Sequence, residues 1–257
     1  MALNLSIINA KGGTAKTTTA VNLAHALANK KIKVLVCDLD PQASASLSFG
    51  FKRDGLYPSI ADVLIEELEI NKAIRPTTVD GVSLLTGSMA LSSFDITFAA
   101  SQGREHKLKE VLSQVKGYDV IIMDCPPTLG LLSLNSITAA DQFIVPVIPQ
   151  YLALEGLATL TEALERIKAG IGCEASMMGI LLTQVDRRGK AANEIISLIR
   201  NHYGEKVFKT EIKINTRLNE APSFGKTIFQ HDWSATGAQA YQALGNEIIA
   251  KLKKGNK

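Results

Sequence analysis

NAKGGTAKTT, residues 9–18, is the stretch from which the rest of this chain is read. Ahead of it, LNLSIIN (3–9) is a short apolar, β-branched run that predicts a strand. Behind it, KTTTAVNLAHALANK (16–30) carries the periodicity of a helix. A glycine-rich turn between a strand and a helix points backbone N–H groups and a helix N-terminus at anionic oxygen. Gly12, Gly13, Thr14, Ala15, Lys16, Thr17 and Thr18 are therefore candidates to line a phosphate cradle. Lys16 would reach the phosphates as a point charge. The Thr17 hydroxyl suits a Mg²⁺ that shares the same oxygens. A plain turn before a helix is the alternative reading, and Lys-Thr-Thr at the helix start argues against it.

Working outward, five more buried-type runs predict strands: KVLVCDL (33–39), GVSLLTG (81–87), YDVIIMD (118–124), QFIVPVI (142–148) and MGILLTQV (178–185). Helical patterning fills 153–170, 190–204 and 235–254, and the Pro/Gly-punctuated segment 41–75 reads as short helices and loops crossing the sheet edge. Strands alternating with helices predict an α/β fold with a doubly wound, mostly parallel sheet. With no repeat or linker, residues 1–257 read as a single domain. The net charge of +3 imposes no global basic field, although local clusters could still bind nucleic acid. Three scattered cysteines, Cys37, Cys125 and Cys173, lack metal-ligand spacing and suit a reducing compartment. No leader or membrane-spanning run is visible, so a cytoplasmic location is expected.

The spacing of the loop departs from G-x-x-x-x-G-K-[ST], and a second lysine, Lys11, opens it. KGGxxKTT resembles the deviant Walker A motif of the ParA/MinD superfamily, on a fold similar to P-loop NTPases. VLVCDLDPQASAS (34–46) and YDVIIMDCPPTLGLLSLNSITAAD (118–141) resemble its second acidic motif and its Walker B strand. VPVIPQYLALEGLATL (145–160) and LNEAPSFGKTI (218–228) look like the chromosome- and plasmid-partition branch, ParA/Soj.

The resemblance implies an ATPase that binds ATP, ADP and Mg²⁺ and forms a homodimer with ATP. It implies that the dimer binds double-stranded DNA nonspecifically on the nucleoid and is reset by a ParB-like activator. Lys11 would reach the partner subunit's phosphates, and Asp40 would orient the attacking water. Asp38 and Asp124 would lie at the metal, the two aspartates at 38 and 40 facing the same side of one strand. Thr183 and Asp186, with the loop 213–225, would flank the adenine. Arg188, Arg217 and Lys190 would contact DNA, and Arg187 joins the same cluster. Trp233 is expected to be packing, and the four histidines show no ligand spacing.

Three competitors share the fold. A MinD-like membrane switch needs a C-terminal amphipathic anchor, whereas Ile248, Ile249 and Leu252 are expected to dock. A relative that positions a protein cargo would carry the same ATPase site. An iron–sulfur reductase needs paired ligand cysteines. One departure remains: Ala15 stands where such loops carry glycine. If the backbone there is helical, the extra methyl acts only sterically; if φ is positive, it adds strain. Either way, weaker ATP binding than in an Ala15→Gly variant is expected.

Overall fold

The structure, a computed structural model, describes residues 2–255. Its strands are β1 (Leu3–Ile7), β2 (Val34–Asp38), β3 (Ile74–Pro76), β4 (Val82–Leu85), β5 (Val120–Asp124), β6 (Gln142–Val147), β7 (Ser176–Val185) and β8 (Val207–Lys213). They form one sheet in the order β3-β4-β2-β5-β1-β6-β7-β8. Every pairing is parallel except that of β3 with β4.

Successive side chains on a strand point to opposite faces, so a strand buried on both sides must be apolar throughout. In β2, Val34 and Val36 join one core while Leu35 and Cys37 join the other. In β5, Val120 and Ile122 are divided from Ile121 and Met123 in the same way. The first core is covered by the helices Lys16–Ala28 and Thr236–Gly255, through Leu23, Leu27, Tyr241, Leu244 and Ile248. The second is covered by Leu131–Ala139, Ala153–Ile171 and Lys190–Tyr203, with shorter helices from 60–73 and 107–112. The doubly wound parallel α/β expectation therefore holds.

Two strands were not foreseen, β3 and β8, and they are the two edges of the sheet. The segment 41–75 is built from short helices at Ser44–Ser48, Ile60–Ile65 and Ile70–Ala73, as expected, except that its last two residues enter β3. In the last helix Ile248 is buried, and Ile249 and Leu252 pack against the core. No helix among the described residues is long and apolar enough to cross a membrane.

Candidate functional site

Parallel order places β5, β1 and β2 so that their C-terminal ends meet. Ile7 pairs in register with Asp124, and Asp124 with Asp38. The chain leaving β1 becomes the glycine-rich loop, so two buried carboxylates sit beneath that loop. Open parallel sheets bind ligands at these strand ends, where neighbouring connections diverge to opposite faces.

Within the loop, Gly13 has φ 74° and Ala15 has φ 68°, ψ 33°. Ala15 is thus the left-handed residue that turns the loop into the helix, the case in which its Cβ is strained. Left-handed backbone costs a non-glycine residue about 1 kcal/mol. Lys16 begins the helix, is 7% exposed, and donates from Nζ to the Lys11 carbonyl at 3.1 Å. Burial pulls its pKa down, while the charge of Asp124 opposes that shift. Lys11 is exposed at the mouth of the loop. It also borders a second, mainly apolar cleft of about 580 Å³, lined by Leu129, Val147, Leu152 and Leu160.

Asp124 is fully buried, and neither carboxylate oxygen has a hydrogen-bond partner among the described residues. Its pKa is raised by burial and by Asp38. Thr17 stands close enough to pull it back, yet outside hydrogen-bond geometry. An orphaned buried carboxylate is costly unless something arrives to satisfy it. With the Thr17 hydroxyl beside it, the pair fits a hard divalent cation that takes its remaining ligands from phosphate and water.

Asp38 is placed differently from Asp40, which corrects the expectation that they share one side of a strand. β2 ends at Asp38, which is completely buried. Ser46 donates to it from its backbone N–H at 2.8 Å and its hydroxyl at 2.6 Å, and the Asp40 N–H reaches it at 3.3 Å. Gly87 presses on this corner: a Cβ there would meet the Asp40 carbonyl at 2.7 Å. Asp38 thus pins the helix Ser44–Ser48 to the sheet, and burial lifts its pKa to about 6. Asp40, beyond the strand end, is only half-buried, accepts from the Gln42 N–H at 2.9 Å, and lines the cleft beside Lys16 and Thr17.

That cleft has a volume of about 680 Å³. Gly12, Gly13, Lys16, Thr17 and Thr18 form one end, and Ile214, Asn215, Asn219 and Pro222 the other. The loop 213–225, expected to flank an adenine, lines this cleft. The end of β7 is not arranged as expected. Thr183 is fully buried and donates to the Thr14 carbonyl at 3.1 Å, so it braces the loop from below and does not line the cleft. Asp186 is turned away from the cleft, held by Arg188. The residue that does reach in is Gln184, which sequence reasoning missed; it donates to the Gly13 carbonyl at 2.7 Å.

The arginines of the basic cluster are already paired. Arg188 binds Asp186, Arg187 binds Glu211, and Arg217 binds Glu220 at 2.9 Å and approaches Asp232 at 3.8 Å. Lys190 is exposed and makes no ion pair among the described residues. Trp233 overturns its expectation: it is 79% exposed, not packed. Cys37 and Cys125 are core residues as expected, and burial raises the Cys125 thiol to about 11.

A family model described as an AAA domain matches residues 3–176. The chromosome-partitioning ATPase Soj of Thermus thermophilus is 41% identical over 97% of this chain and 96% of that protein. The Soj of Treponema pallidum is 39% identical over 98% of each. The chain belongs to the ParA/Soj family of partitioning ATPases. The family's fold extends to proteins named for other work: a cobyrinic acid a,c-diamide synthase from Mycobacterium smegmatis, solved with bound ADP and magnesium, superposes with a TM-score of 0.85 at 30% identity, covering 99% of this chain and 97% of that one. In this ParA/Soj-family chain, the loop, the orphaned Asp124 and the cleft occupy the strand ends that such a fold uses for ligands.

Proposed function

We propose that this chain is a partition switch in which ATP with Mg²⁺ assembles two subunits into a DNA-binding dimer, and hydrolysis to ADP releases it. The observation that carries the reading is the division of labour between two lysines in one loop. Lys16 is buried at the base of the loop, while Lys11 stands exposed at its mouth. A single subunit needs only the first to hold phosphate. The second is free to reach a nucleotide held by another copy, and a cation supplied in trans stabilises charge developing in phosphoryl transfer. The apolar cleft beside Lys11, with Leu152 58% exposed, supports this face as the dimer surface.

In this reading the N–H groups of Gly12 to Thr14 cradle phosphate oxygens and Lys16 balances their charge. Thr17 and Asp124 hold Mg²⁺, which when bound neutralises charge on the outer phosphates. Asp40, half-buried and facing the cleft, orients the attacking water. The loop 213–225 receives the base. Arg188, Arg217 and Lys190 meet DNA phosphates without reading sequence, which requires the arginines to exchange their own carboxylates for phosphate. A ParB-like protein accelerates hydrolysis, and the ATP dimer resides on the nucleoid within the cytoplasm. Co-sedimentation with DNA in ATP, in ADP and without nucleotide is the test. Binding confined to ATP supports the switch; binding that ignores nucleotide, or none in any state, refutes it.

A further inference from the structure

Between the phosphate loop and the two arginine-bearing loops lies one short hub, the end of β7. Consecutive residues there grip consecutive carbonyls of the phosphate loop. Thr183 Oγ1 donates to the Thr14 carbonyl at 3.1 Å, and Gln184 Nε2 to the Gly13 carbonyl at 2.7 Å. Gln184 is held in left-handed backbone, φ 49°, an unusual conformation for a residue with a long side chain. Two residues on, Asp186 receives the backbone N–H of Arg188 at 3.0 Å as well as its guanidinium. The other branch starts at Val185, whose carbonyl accepts from the Ile214 N–H at 3.3 Å. Asn215 then caps the helix that carries Arg217, accepting from the Leu218 N–H at 3.1 Å.

Thr183 is buried and fixed, so it cannot be the adjustable part of this link. Gln184 is exposed, lines the nucleotide cleft, and touches the loop at the glycine that itself has φ 74°. We propose that Gln184 is a positioning residue that transmits nucleotide occupancy from the phosphate loop to the loops bearing Arg188 and Arg217. Phosphate in the cradle fixes the Gly13 peptide. The fixed carbonyl holds the Gln184 amide, and the held side chain keeps the β7 end in its left-handed turn, which orders both arginine loops. The DNA arm of this inference rests on the partition-switch reading; the mechanical link does not.

The test compares the full chain with Gln184→Met, which keeps the side-chain length and backbone preference but removes the amide donor. Hydrogen exchange is followed with and without Mg-ATP. In the parent, nucleotide should slow exchange in both 11–18 and 184–190. In the variant, protection of 11–18 should remain, while protection of 184–190 falls about fivefold, the factor expected for one lost hydrogen bond. The ATP-over-ADP preference for DNA should fall by a similar factor, with ATP affinity changing less. Equal protection of 184–190 in both proteins, or none in the parent, overturns the proposal. If neither protein binds DNA in any nucleotide state, the partition reading fails while the exchange data still decide the link.

Discussion

Arg188 grips the carboxylate of Asp186, two residues earlier in the chain, through both Nε at 2.8 Å and Nη2 at 2.7 Å. That fork holds the Asp186 carboxyl down at about 2. A depressed carboxylate keeps its pair above the ordinary value near 4 and loses it only as pH falls toward 2. Asp186 therefore stays ionised from pH 5 to 8, and a DNA phosphate would compete with it for Arg188. Asp186→Asn should leave Arg188 unpaired and tighten DNA binding severalfold at low salt. Arg188→Ala and Arg217→Ala should each weaken DNA binding, flatten the log–log salt dependence by about 0.9 per subunit, hence about 1.8 for the dimer, and spare ATP-dependent dimerisation. Unchanged affinity in the double arginine variant would remove both residues from the DNA face.

Asp40 and Lys16 should separate binding from turnover. Asp40→Ala is expected to bind ATP and DNA but to lose hydrolysis by at least about tenfold, so that the dimer persists. Lys16→Ala should lose nucleotide binding itself. Isothermal titration and phosphate-release assays distinguish the two, and parental turnover in Asp40→Ala would make that residue structural.

Ala15 adopts φ 68°, a left-handed backbone that costs a residue with a Cβ about 1 kcal/mol. Ala15→Gly should change unfolding free energy by less than about 1 kcal/mol, because glycine also gains unfolded-state entropy. Affinity is a separate matter: removing the methyl clears the approach of phosphate to the backbone, and ATP should bind up to about fivefold tighter. Equal affinities on titration would show that the loop already accommodates the methyl.

His25 offers a pH test of stability away from the cleft. Its Nδ1 meets Thr227 Oγ1 at 2.7 Å, its ring lies 4.8 Å from Phe229, and burial lowers its pKa to about 4. A histidine depressed below its unfolded value near 6.5 binds fewer protons when folded, so its contribution is complete above pH 6.5 and is lost between 6.5 and 4. With allowance for partial solvent screening, about 2 kcal/mol should disappear across that window. In urea melts, His25→Gln should show a shallower decline between those pH values than the parent.

Ser46 is the remaining test, since its hydroxyl bridges the Asp38 carboxylate and the Gly87 N–H at 2.6 and 3.0 Å. Ser46→Ala leaves both buried groups short of a partner and should cost about 1–3 kcal/mol in denaturant melts. A neutral result would mean that water takes the place of the hydroxyl.

The site and the sheet were legible in the sequence to different depths. Buried central strands announce themselves as apolar runs: β1, β2, β4, β5 and β6 lie within stretches read that way, and β7 contains one and begins two residues before it, at Ser176. β8, VFKTEIK, is an edge strand with exposed Lys209 and Lys213, so its alternation carries charge and escaped a search for buried runs. β3 has only three residues and ends in Pro76, which lacks an N–H and therefore suits an edge. Asp38 and Asp40 were misjudged because residue spacing assumes the strand continues, and it stops at Asp38. Gln184 could not be singled out, since nothing in a lone glutamine at the end of a strand reveals that its backbone turns left-handed and its amide reaches another loop.

The exposure of Trp233 has a practical side. It is the only tryptophan in the chain, and the neighbouring Asp232 faces Arg217 at 3.8 Å. Nearly all ultraviolet emission excited at the red edge of protein absorbance will come from one solvated indole on the surface that carries this arginine. The unlabelled molecule therefore has its own optical reporter: a long-wavelength band, open to acrylamide, whose colour and quenching will register whatever settles on that face.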